Sequence, residues 1–471
     1  MTPQSRQAWS AKMPANDAIQ KAIGYLDANK ERFLKELFDY LRIASISAQK
    51  EHEAELRKAA EWTRDRCKAA GLKAEIVDTP GWPAVLAEGE QKPGRPTILV
   101  YGHFDVQPEG DLKLWHTGPF EPTVRDGMII CRGSADDKGQ LLCAILAAEA
   151  WMKTAGSLPI NVKFCIEGEE EIGSKNLQGL IEKHKDRLAC DYIVIHDTAQ
   201  FGIGIPAVTI ATRGLVYKEV IVRGPSKDLH SGVYGGAIAN PANELAKLIA
   251  SFHDADGRVT IPGFYDRVKE MTPVEKKAMD ALPFDEADFL EDVGSPRTYG
   301  EKGYSTLQRK AARPTLDVNG IYGGYMKEGS STIIPSFAGA KVSMRLVADQ
   351  SGEEVSRLFD ETVRKRVPDT VRVEILDHAR CGPYLADQDS PGMQTARKAV
   401  EVGFGKAPVM MREGGSLPIL PMFKELLGAD SLMLGYSQPN CNAHSPNEFL
   451  HIVDFEGGMR SSAALFGLMQ R

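Results

Sequence analysis

Several protein classes are made improbable by what this chain lacks. Its 471 residues contain no apolar run near the roughly 20 residues that a bilayer-spanning helix needs, so we expect no membrane partner. There is no block of lysines and arginines, and the net charge is −7. A chain without a basic patch has no electrostatic footprint for nucleic acid, so we expect no nucleic-acid partner either.

Cysteine is also sparse, and its spacing is uninformative. The seven cysteines form an odd set without a CxxC pair, and several lie inside apolar runs. Such a pattern favours reduced thiols over a disulfide framework. The first 29 residues are polar and contain no apolar signal core. We therefore expect a cytoplasmic protein.

What is present indicates a large soluble protein with more than one core. The length exceeds that of one ordinary domain, and 42% of the residues are apolar. Three mostly apolar strands, at 97–101, 160–166 and 192–195, are separated by helical patterns. This alternation is typical of a mainly parallel, twisted sheet with helices on both faces. The sequence therefore predicts a three-layer α/β catalytic domain.

The pattern changes near residue 213. Residues 214–224, 341–346 and 371–375 alternate apolar and polar side chains, as in an antiparallel sheet with one solvated face. We expect an α+β domain at 213–384, inserted into a catalytic domain made of 1–212 and 385–471. The charged, helix-prone segment 254–316 within it has no assigned role.

Polar residues follow each of the three parallel strands. The first strand leads to His103, the second to the glutamates 169–171, and the third to Asp197. Because ligands bind at the carboxyl ends of parallel strands, we expect these side chains at one edge of the sheet. Two of these sites also have a simpler interpretation. His103 could be a structural histidine, and the three glutamates could form a solvated helix N-terminus.

The paired carboxylates Asp136 and Asp137 occupy a glycine-bounded turn before a helical pattern. An isolated Asp pair in this position is more often a helix N-cap than a metal ligand. The combination with His103, Asp197 and the distant His444 favours a metal site instead. Imidazole and carboxylate ligands suit Zn²⁺, with Mn²⁺ or Co²⁺ as substitutes, and the absence of a cysteine ligand argues against a structural zinc site.

Hydrolysis at such a centre needs one carboxylate on the metal and another that accepts a proton from water. The neighbouring residues Glu170 and Glu171 can divide these roles by pointing in different directions. Three consecutive carboxylates repel one another, so a buried position would be costly without a cation. The sequence thus predicts a hydrolase with two metal ions.

Five motifs together resemble the carnosinase-type metallodipeptidases, and most closely their cytosolic non-specific dipeptidase branch. They belong to the superfamily of zinc glutamate carboxypeptidases and aminoacylases. The motifs lie at 102–108, 132–139, 169–174, 228–232 and 443–445, in order along nearly the whole chain. The resemblance implies two divalent metal ions per subunit, zinc first among them, and a cis peptide bond between Asp136 and Asp137.

The resemblance also implies individual roles in the metal centre. One ion would be held by His103, Asp136 and Asp197, and the other by Asp136, Glu171 and His444. Glu170 would be the general base, and Asp105 would orient His103.

For the inserted domain, the resemblance implies a lid that also forms a homodimer. His230 would act in the active site of the partner subunit and stabilise the oxyanion. The substrate carboxylate would be held by Arg345, Thr332, His378, Gly414, Gly415 and Ser416. From chemistry alone, a surface turn for the glycines and a solvated sheet face for Arg345 are the better explanations.

The function implied is hydrolysis of dipeptides or short peptides with a free C-terminal carboxylate. An N-acyl amino acid amidohydrolase remains the alternative enzyme, because the same metals can serve another acyl group. The long segment 254–316 favours the dipeptidase. A non-catalytic binding protein of the same fold would be expected to have lost Glu170 or a metal ligand, and this chain has lost none.

Overall fold

The computed structural model describes residues 14–470. They divide into two compact units. Unit 1 comprises residues 14–210, Ala386–Met411 and 422–470, and unit 2 comprises Ala211–Leu385 and Arg412–Pro421. Within the described residues, no helix combines the length and apolar character needed to cross a membrane.

Fifteen α-helices lie in the described part of the chain. In chain order they are α1 (Pro14–Ala28), α2 (Lys30–Leu41), α3 (Glu53–Ala69), α4 (Lys138–Ala155), α5 (Leu177–Lys183), α6 (Lys185–Leu188), α7 (Ser231–Tyr234), α8 (Pro241–Ala250), α9 (Pro273–Asp280), α10 (Glu286–Val293), α11 (Thr306–Ala312), α12 (Gly352–Arg366), α13 (Pro391–Phe404), α14 (Ile419–Leu427) and α15 (Ile452–Leu468).

The strands, in the same order, are β1 (Lys73–Val77), β2 (Ala84–Glu88), β3 (Thr97–His103), β4 (Thr123–Arg125), β5 (Met128–Ile130), β6 (Asn161–Glu167), β7 (Tyr192–Ile195), β8 (Ala207–Thr212), β9 (Gly214–Arg223), β10 (Leu229–His230), β11 (Thr315–Gly323), β12 (Ile333–Ile334), β13 (Phe337–Leu346), β14 (Arg372–Cys381), β15 (Tyr384–Leu385), β16 (Val409–Arg412), β17 (Asp430–Met433) and β18 (Phe449–His451).

The large sheet of unit 1 has four parallel strands at its centre. Its strand order is β1-β2-β6-β3-β7-β17-β8, and β6, β3, β7 and β17 all run in the same direction. Strands β2 and β8 pair antiparallel with the two outer members of this group. The expected α/β fold with a mainly parallel sheet is confirmed.

Helices cover both faces of this sheet. A Cβ atom on Gly102 of β3 would lie 2.9 Å from the side chain of Leu141 in α4. The neighbouring residue Tyr101 points to the other face, where its ring centre lies 5.2 Å from that of Phe423 in α14. Because consecutive side chains of a strand alternate between faces, α4 and α14 lie on opposite sides of β3. The three-layer arrangement predicted for the catalytic domain is therefore present.

Unit 2 contains a four-stranded antiparallel sheet in the order β11-β13-β9-β14. Burial alternates along β9, and Val216, Val220 and Val222 belong to a core with Leu245 of α8 and Phe359 of α12. The prediction of a sheet with one solvated face is confirmed, because the alternate positions of β9 are partly or fully exposed and include Glu219 and Arg223. The lid and dimerisation roles of this unit stay predictions.

Lys218 interrupts the apolar face of β9. Its side chain is buried, and its Nζ atom forms ion pairs with Asp360 at 2.8 Å and Asp377 at 2.7 Å. A buried ammonium group is costly unless it is paired, and two carboxylates meet that need here.

Segment 254–316 forms helices α9, α10 and α11, with a small core of Met271, Met279 and Ala312. Glu275 of α9 accepts a hydrogen bond of 2.7 Å from the Arg412 guanidinium. Both residues of this ion pair belong to unit 2. The domain boundaries expected at 212/213 and 384/385 stay predictions.

Candidate functional site

His103 is buried at the carboxyl end of β3. Its Nδ1 atom lies 3.1 Å from the carbonyl oxygen of Asp105 and 3.4 Å from Oδ1 of the same residue. Its Nε2 atom lies 3.1 Å from Asp136 Oδ1 and 3.9 Å from Asp197 Oδ2. A histidine held through one ring nitrogen presents the other to a ligand, so Nε2 is oriented to bind a cation.

Asp136 lies between two histidines. Its Oδ1 atom faces His103 Nε2, and its Oδ2 atom lies 3.0 Å from Nε2 of His444. The same His444 nitrogen lies 3.2 Å from Glu171 Oε2. The peptide bond between Asp136 and Asp137 is cis, as expected. Each oxygen of one carboxylate is thus directed at a different group of donor atoms.

The carboxylate of Asp105 connects His103 with the acidic turn after β6. Its two oxygens accept the backbone N–H groups of Glu170 at 3.2 Å and Glu171 at 3.1 Å. These bonds come from a single 3₁₀ turn, Glu170–Ile172. Asp105 therefore contacts the glutamate backbone as well as the imidazole, and the orienting role expected of it stays a prediction.

Only two of the three consecutive glutamates face the cluster. The buried Glu169 accepts hydrogen bonds from the backbone of Trp82 at 3.1 Å and from the side chain of Asn176 at 2.9 and 3.0 Å. Glu171 accepts one from Gln107 Nε2 at 2.7 Å. The repulsion expected within the triplet is thus reduced, because Glu169 has partners of its own.

Burial and like charge disturb the acid groups of the cluster. Burial raises the pKa of Asp197 to about 7, and the charge of Asp136 adds to this effect. Burial also raises the pKa of Glu170 well above its usual range. Although burial opposes it, hydrogen bonding with His103 and His444 lowers the pKa of Asp136. Several carboxylates in a region of low dielectric constant favour the binding of cations.

The donor atoms form two sets that share Asp136. One set is His103, Asp136 and Asp197, the other is Asp136, Glu171 and His444, and the atoms within each set lie within 4.8 Å of one another. Ligands at about 2.0–2.2 Å from a tetrahedral ion lie roughly 3.4 Å apart. The separations of 3.0–3.9 Å bracket that value, and the nitrogen and oxygen donors suit a divalent transition metal. The residues fit the two ions that the sequence predicts.

Within unit 2, two of the expected carboxylate-binding elements lie together. Arg345 Nη1 donates a hydrogen bond of 2.7 Å to Ser416 Oγ. The carbonyl oxygens of Gly414 and Gly415 accept hydrogen bonds from Arg213, at 2.8 and 2.9 Å. The turn is therefore ordered by two arginines, of which the sequence singled out only Arg345.

The remaining expected residues of unit 2 have different surroundings. The exposed His230 accepts a hydrogen bond from the backbone of Gly232 through Nδ1, and the next residue, Ser231, donates its N–H to the carbonyl of Thr332 at 3.0 Å. His378 lies elsewhere on the unit, with Nε2 at 2.7 Å from Glu219 Oε2. Carboxylate binding by Thr332 and His378 stays a prediction.

Comparison with known families identifies the chain. The model of peptidase family M20/M25/M40 matches residues 99–467, which contain all the motifs described above. The chain belongs to peptidase family M20/M25/M40.

Two curated relatives and one solved structure match it over nearly their whole length. It is 32% identical to the Cys-Gly metallodipeptidase of Schizosaccharomyces pombe, over 94% of this chain and 96% of that one. It is 30% identical to the human Beta-Ala-His dipeptidase, over 98% and 94%. Among solved structures, an M20 family metallo-carboxypeptidase from Sulfolobus solfataricus is similar, with a TM-score of 0.83 and 31% identity over 93% of this chain and 99% of that one.

Membership of the M20 family confirms the resemblance to metallodipeptidases and the prediction of a metallopeptidase. The predicted roles of individual site residues stay predictions. What the structure adds is that the six expected residues around the two donor sets, together with Asp105, belong to unit 1.

Glu448 is a site residue that sequence reasoning missed. Its buried carboxylate accepts hydrogen bonds from the backbone of Gly133 (3.1 Å), Ala135 (2.9 Å) and Asp136 (3.0 Å), and from the Arg132 guanidinium at 2.7 Å. Pairing of β18 with β5 brings it beside the turn. In the sequence, the one indication of this role is that Glu448 lies four residues after His444. A single glutamate before a short strand does not predict that its carboxylate binds the backbone of the Asp136 turn.

Proposed function

We propose that this M20 protein is a dinuclear metal-dependent dipeptidase. It would hydrolyse the peptide bond of dipeptides or short peptides that have a free C-terminal carboxylate. The observation that supports it best is the Asp136 carboxylate, whose two oxygens face the Nε2 atoms of His103 and His444 at 3.1 and 3.0 Å. The names of the Cys-Gly and Beta-Ala-His dipeptidases, which match nearly the full chain, favour small substrates.

The metal centre we propose uses the two donor sets of unit 1. His103, Asp136 and Asp197 would hold one ion, and Asp136, Glu171 and His444 the other. Zinc fits this mixture of imidazole and carboxylate, with manganese or cobalt as substitutes. When bound, such ions supply Lewis-acid chemistry, which acidifies a water molecule and polarises a carbonyl group.

Glu170 is the proposed general base. It belongs to neither donor set, and Asp105 holds its backbone N–H. Burial raises the pKa of its carboxyl group, which makes it a better proton acceptor than an exposed glutamate. In the proposed reaction Glu170 takes a proton from the attacking water and delivers it to the amine of the leaving amino acid.

Unit 2 would supply substrate binding. Arg345, Thr332, His378 and the turn Gly414, Gly415, Ser416 would bind the C-terminal carboxylate, and the bond from Arg345 to Ser416 supports two of these assignments. His230 would stabilise the oxyanion in the site of the other subunit of a homodimer, with unit 2 acting as a lid. The seven free cysteines support the proposed cytoplasmic location.

The decisive experiment is an activity assay on metal-depleted protein. Zn²⁺, Mn²⁺ or Co²⁺ is added back, and hydrolysis is measured on dipeptides, the same dipeptides with C-terminal amides, and N-acyl amino acids. We expect metal-dependent cleavage of dipeptides and weak cleavage of their amides. Faster cleavage of N-acyl amino acids would instead assign an amidohydrolase, and no hydrolysis with any metal would contradict both.

A further inference from the structure

Arg213 holds the turn that contains Ser416. The residue lies between β8 and β9, and its backbone N–H donates to the Gly415 carbonyl at 2.9 Å. Its Nε atom donates to the Gly414 carbonyl at 2.8 Å. A Cβ atom on Gly414 would lie 3.3 Å from Arg213 Nη2, so the guanidinium is packed directly against this turn. One side chain and its own backbone thus fix two consecutive carbonyl groups.

Arg345 approaches the same turn from the neighbouring strand. It pairs with Leu215 across β13 and β9, two residues beyond Arg213, and its Nη1 atom donates to Ser416 Oγ. The two arginines therefore reach three consecutive residues of one turn. Both are half-buried.

Neither guanidinium forms an ion pair in the described part of the chain, residues 14–470, although the charges of Asp317 and Glu413 act on Arg213 from a greater distance. By contrast, Arg313 of the same unit pairs with two glutamates and Arg412 with one. Burial, reinforced by the charge of Arg345, lowers the pKa of Arg213 to about 10, although the charges of Asp317 and Glu413 partly offset this shift. Two unpaired positive charges near each other in a partly buried place are unfavourable, and an anion between them would remove this cost.

There is also space beside these side chains. Arg213 lines a cavity of about 570 Å³ together with Lys310 and Thr315. Thr315 is the partner of Arg345 across β11 and β13. The cavity therefore lies next to Arg213 and one strand away from Arg345.

We propose that Arg213 is a further positioning and specificity residue of the carboxylate subsite. It holds the Gly414–Ser416 turn in place and, together with Arg345, makes the subsite require a negatively charged group at the C-terminus of the substrate. This inference rests on the proposed function, because that function supplies the anion.

The test compares the free acid and the C-terminal amide of one dipeptide. Arg213→Met removes the charge and the Nε donor while keeping an unbranched side chain. Arg213→Lys keeps the charge, and Arg364→Met removes an exposed positive charge from α12 as a matched control. Values of kcat and KM for both substrates, and the melting temperature of each variant, are measured on the full-length, metal-loaded protein.

For Arg213→Met we expect kcat/KM on the free acid to fall by about 10- to 100-fold, mainly through KM, with kcat/KM on the amide within about twofold of wild type. Arg213→Lys should recover part of the loss because it retains the charge, but its ratio of free acid to amide should stay at least about threefold below wild type because it lacks the Nε donor. Arg364→Met should match wild type on both substrates. If Arg213 had a purely structural role, kcat/KM would instead fall equally for the free acid and the amide, and kcat would fall as well.

An unchanged ratio of free acid to amide in Arg213→Met would overturn the inference, as would an equal loss on both substrates. If Arg213→Met does not fold, Arg213→Lys decides, since its ratio must fall by at least about threefold. Failure of the wild-type protein to cleave any dipeptide is a different result, because it removes the proposed function on which the inference depends.

Discussion

The buried carboxylate of Glu448 accepts the backbone N–H of Asp136 at 3.0 Å. The same carboxylate binds the N–H groups of Gly133 and Ala135 and the guanidinium of Arg132. Asp136 is thus held through its backbone, while its side chain lies between two histidines. Loss of a group that orients a metal ligand in this way typically lowers metal affinity or activity.

Replacing Glu448 should therefore weaken metal binding. In Glu448→Gln, the amide retains one acceptor oxygen but presents N–H atoms where the turn also has N–H donors. We expect metal affinity to fall by about 10- to 100-fold, measured by competition with a chelator, and activity to recover at high metal concentration.

Glu51→Gln, at an exposed position, is the matched control and should bind metal as wild type does. Wild-type affinity in Glu448→Gln would show that the turn keeps its conformation without this carboxylate.

Glu170→Gln should lose rate and keep its metals. The amide has nearly the same size as the carboxylate but cannot accept the proton of the attacking water. We expect kcat to fall by about 10²- to 10⁴-fold at unchanged metal content, measured by steady-state kinetics and elemental analysis. Loss of metal with a smaller loss of rate would mean that the roles of Glu170 and Glu171 are exchanged.

Asp136→Ala should remove both ions, because Asp136 is common to the two donor sets. Elemental analysis of the wild-type protein should find two metal ions per chain, and chelation should abolish hydrolysis. His444→Ala is the matched variant, since it should weaken only one of the two sites. A fully active wild-type protein with one ion or none would contradict the dinuclear centre.

His230 tests the proposed homodimer. Separate His230→Ala and Glu170→Gln proteins should each be nearly inactive. In a mixed dimer, the site on the His230→Ala chain has an intact Glu170 and receives a wild-type histidine from its partner. Random pairing of equal amounts should therefore restore up to about a quarter of wild-type activity. The measurement is activity after demonstrated subunit exchange, and no recovery would place His230 in its own chain or outside the reaction.

Much of unit 1 was predictable from local sequence. Apolar strands of four to seven residues, each followed by a polar residue, predict a parallel sheet with a polar edge, and the structure has both. His103 and Asp197 follow directly from this rule, because the end of a strand determines where the next residues lie. His444 was a candidate ligand from its chemistry alone, because no spacing connects it to the others.

Only the tertiary structure determined which of the three glutamates face the metal-binding cluster and which groups their carboxylates contact. The Glu169 side chain accepts hydrogen bonds from Trp82 and Asn176, whereas the Glu171 carboxylate lies beside His444. Three identical residues in a row give no sign of which one has which role. The direction of each side chain depends on backbone torsions in a single turn and on partners far along the chain.

The sequence by itself determined the kinds of ligand, their order and the strands that carry them, because hydrophobic periodicity and residue chemistry are local properties. Only the folded chain brought Glu448 to Asp136 across 312 residues, and Arg213 to Gly414 across 201. Both contacts depend on strand pairing and turn geometry between distant segments, and a hydrogen bond between such segments leaves no periodic signal in either of them.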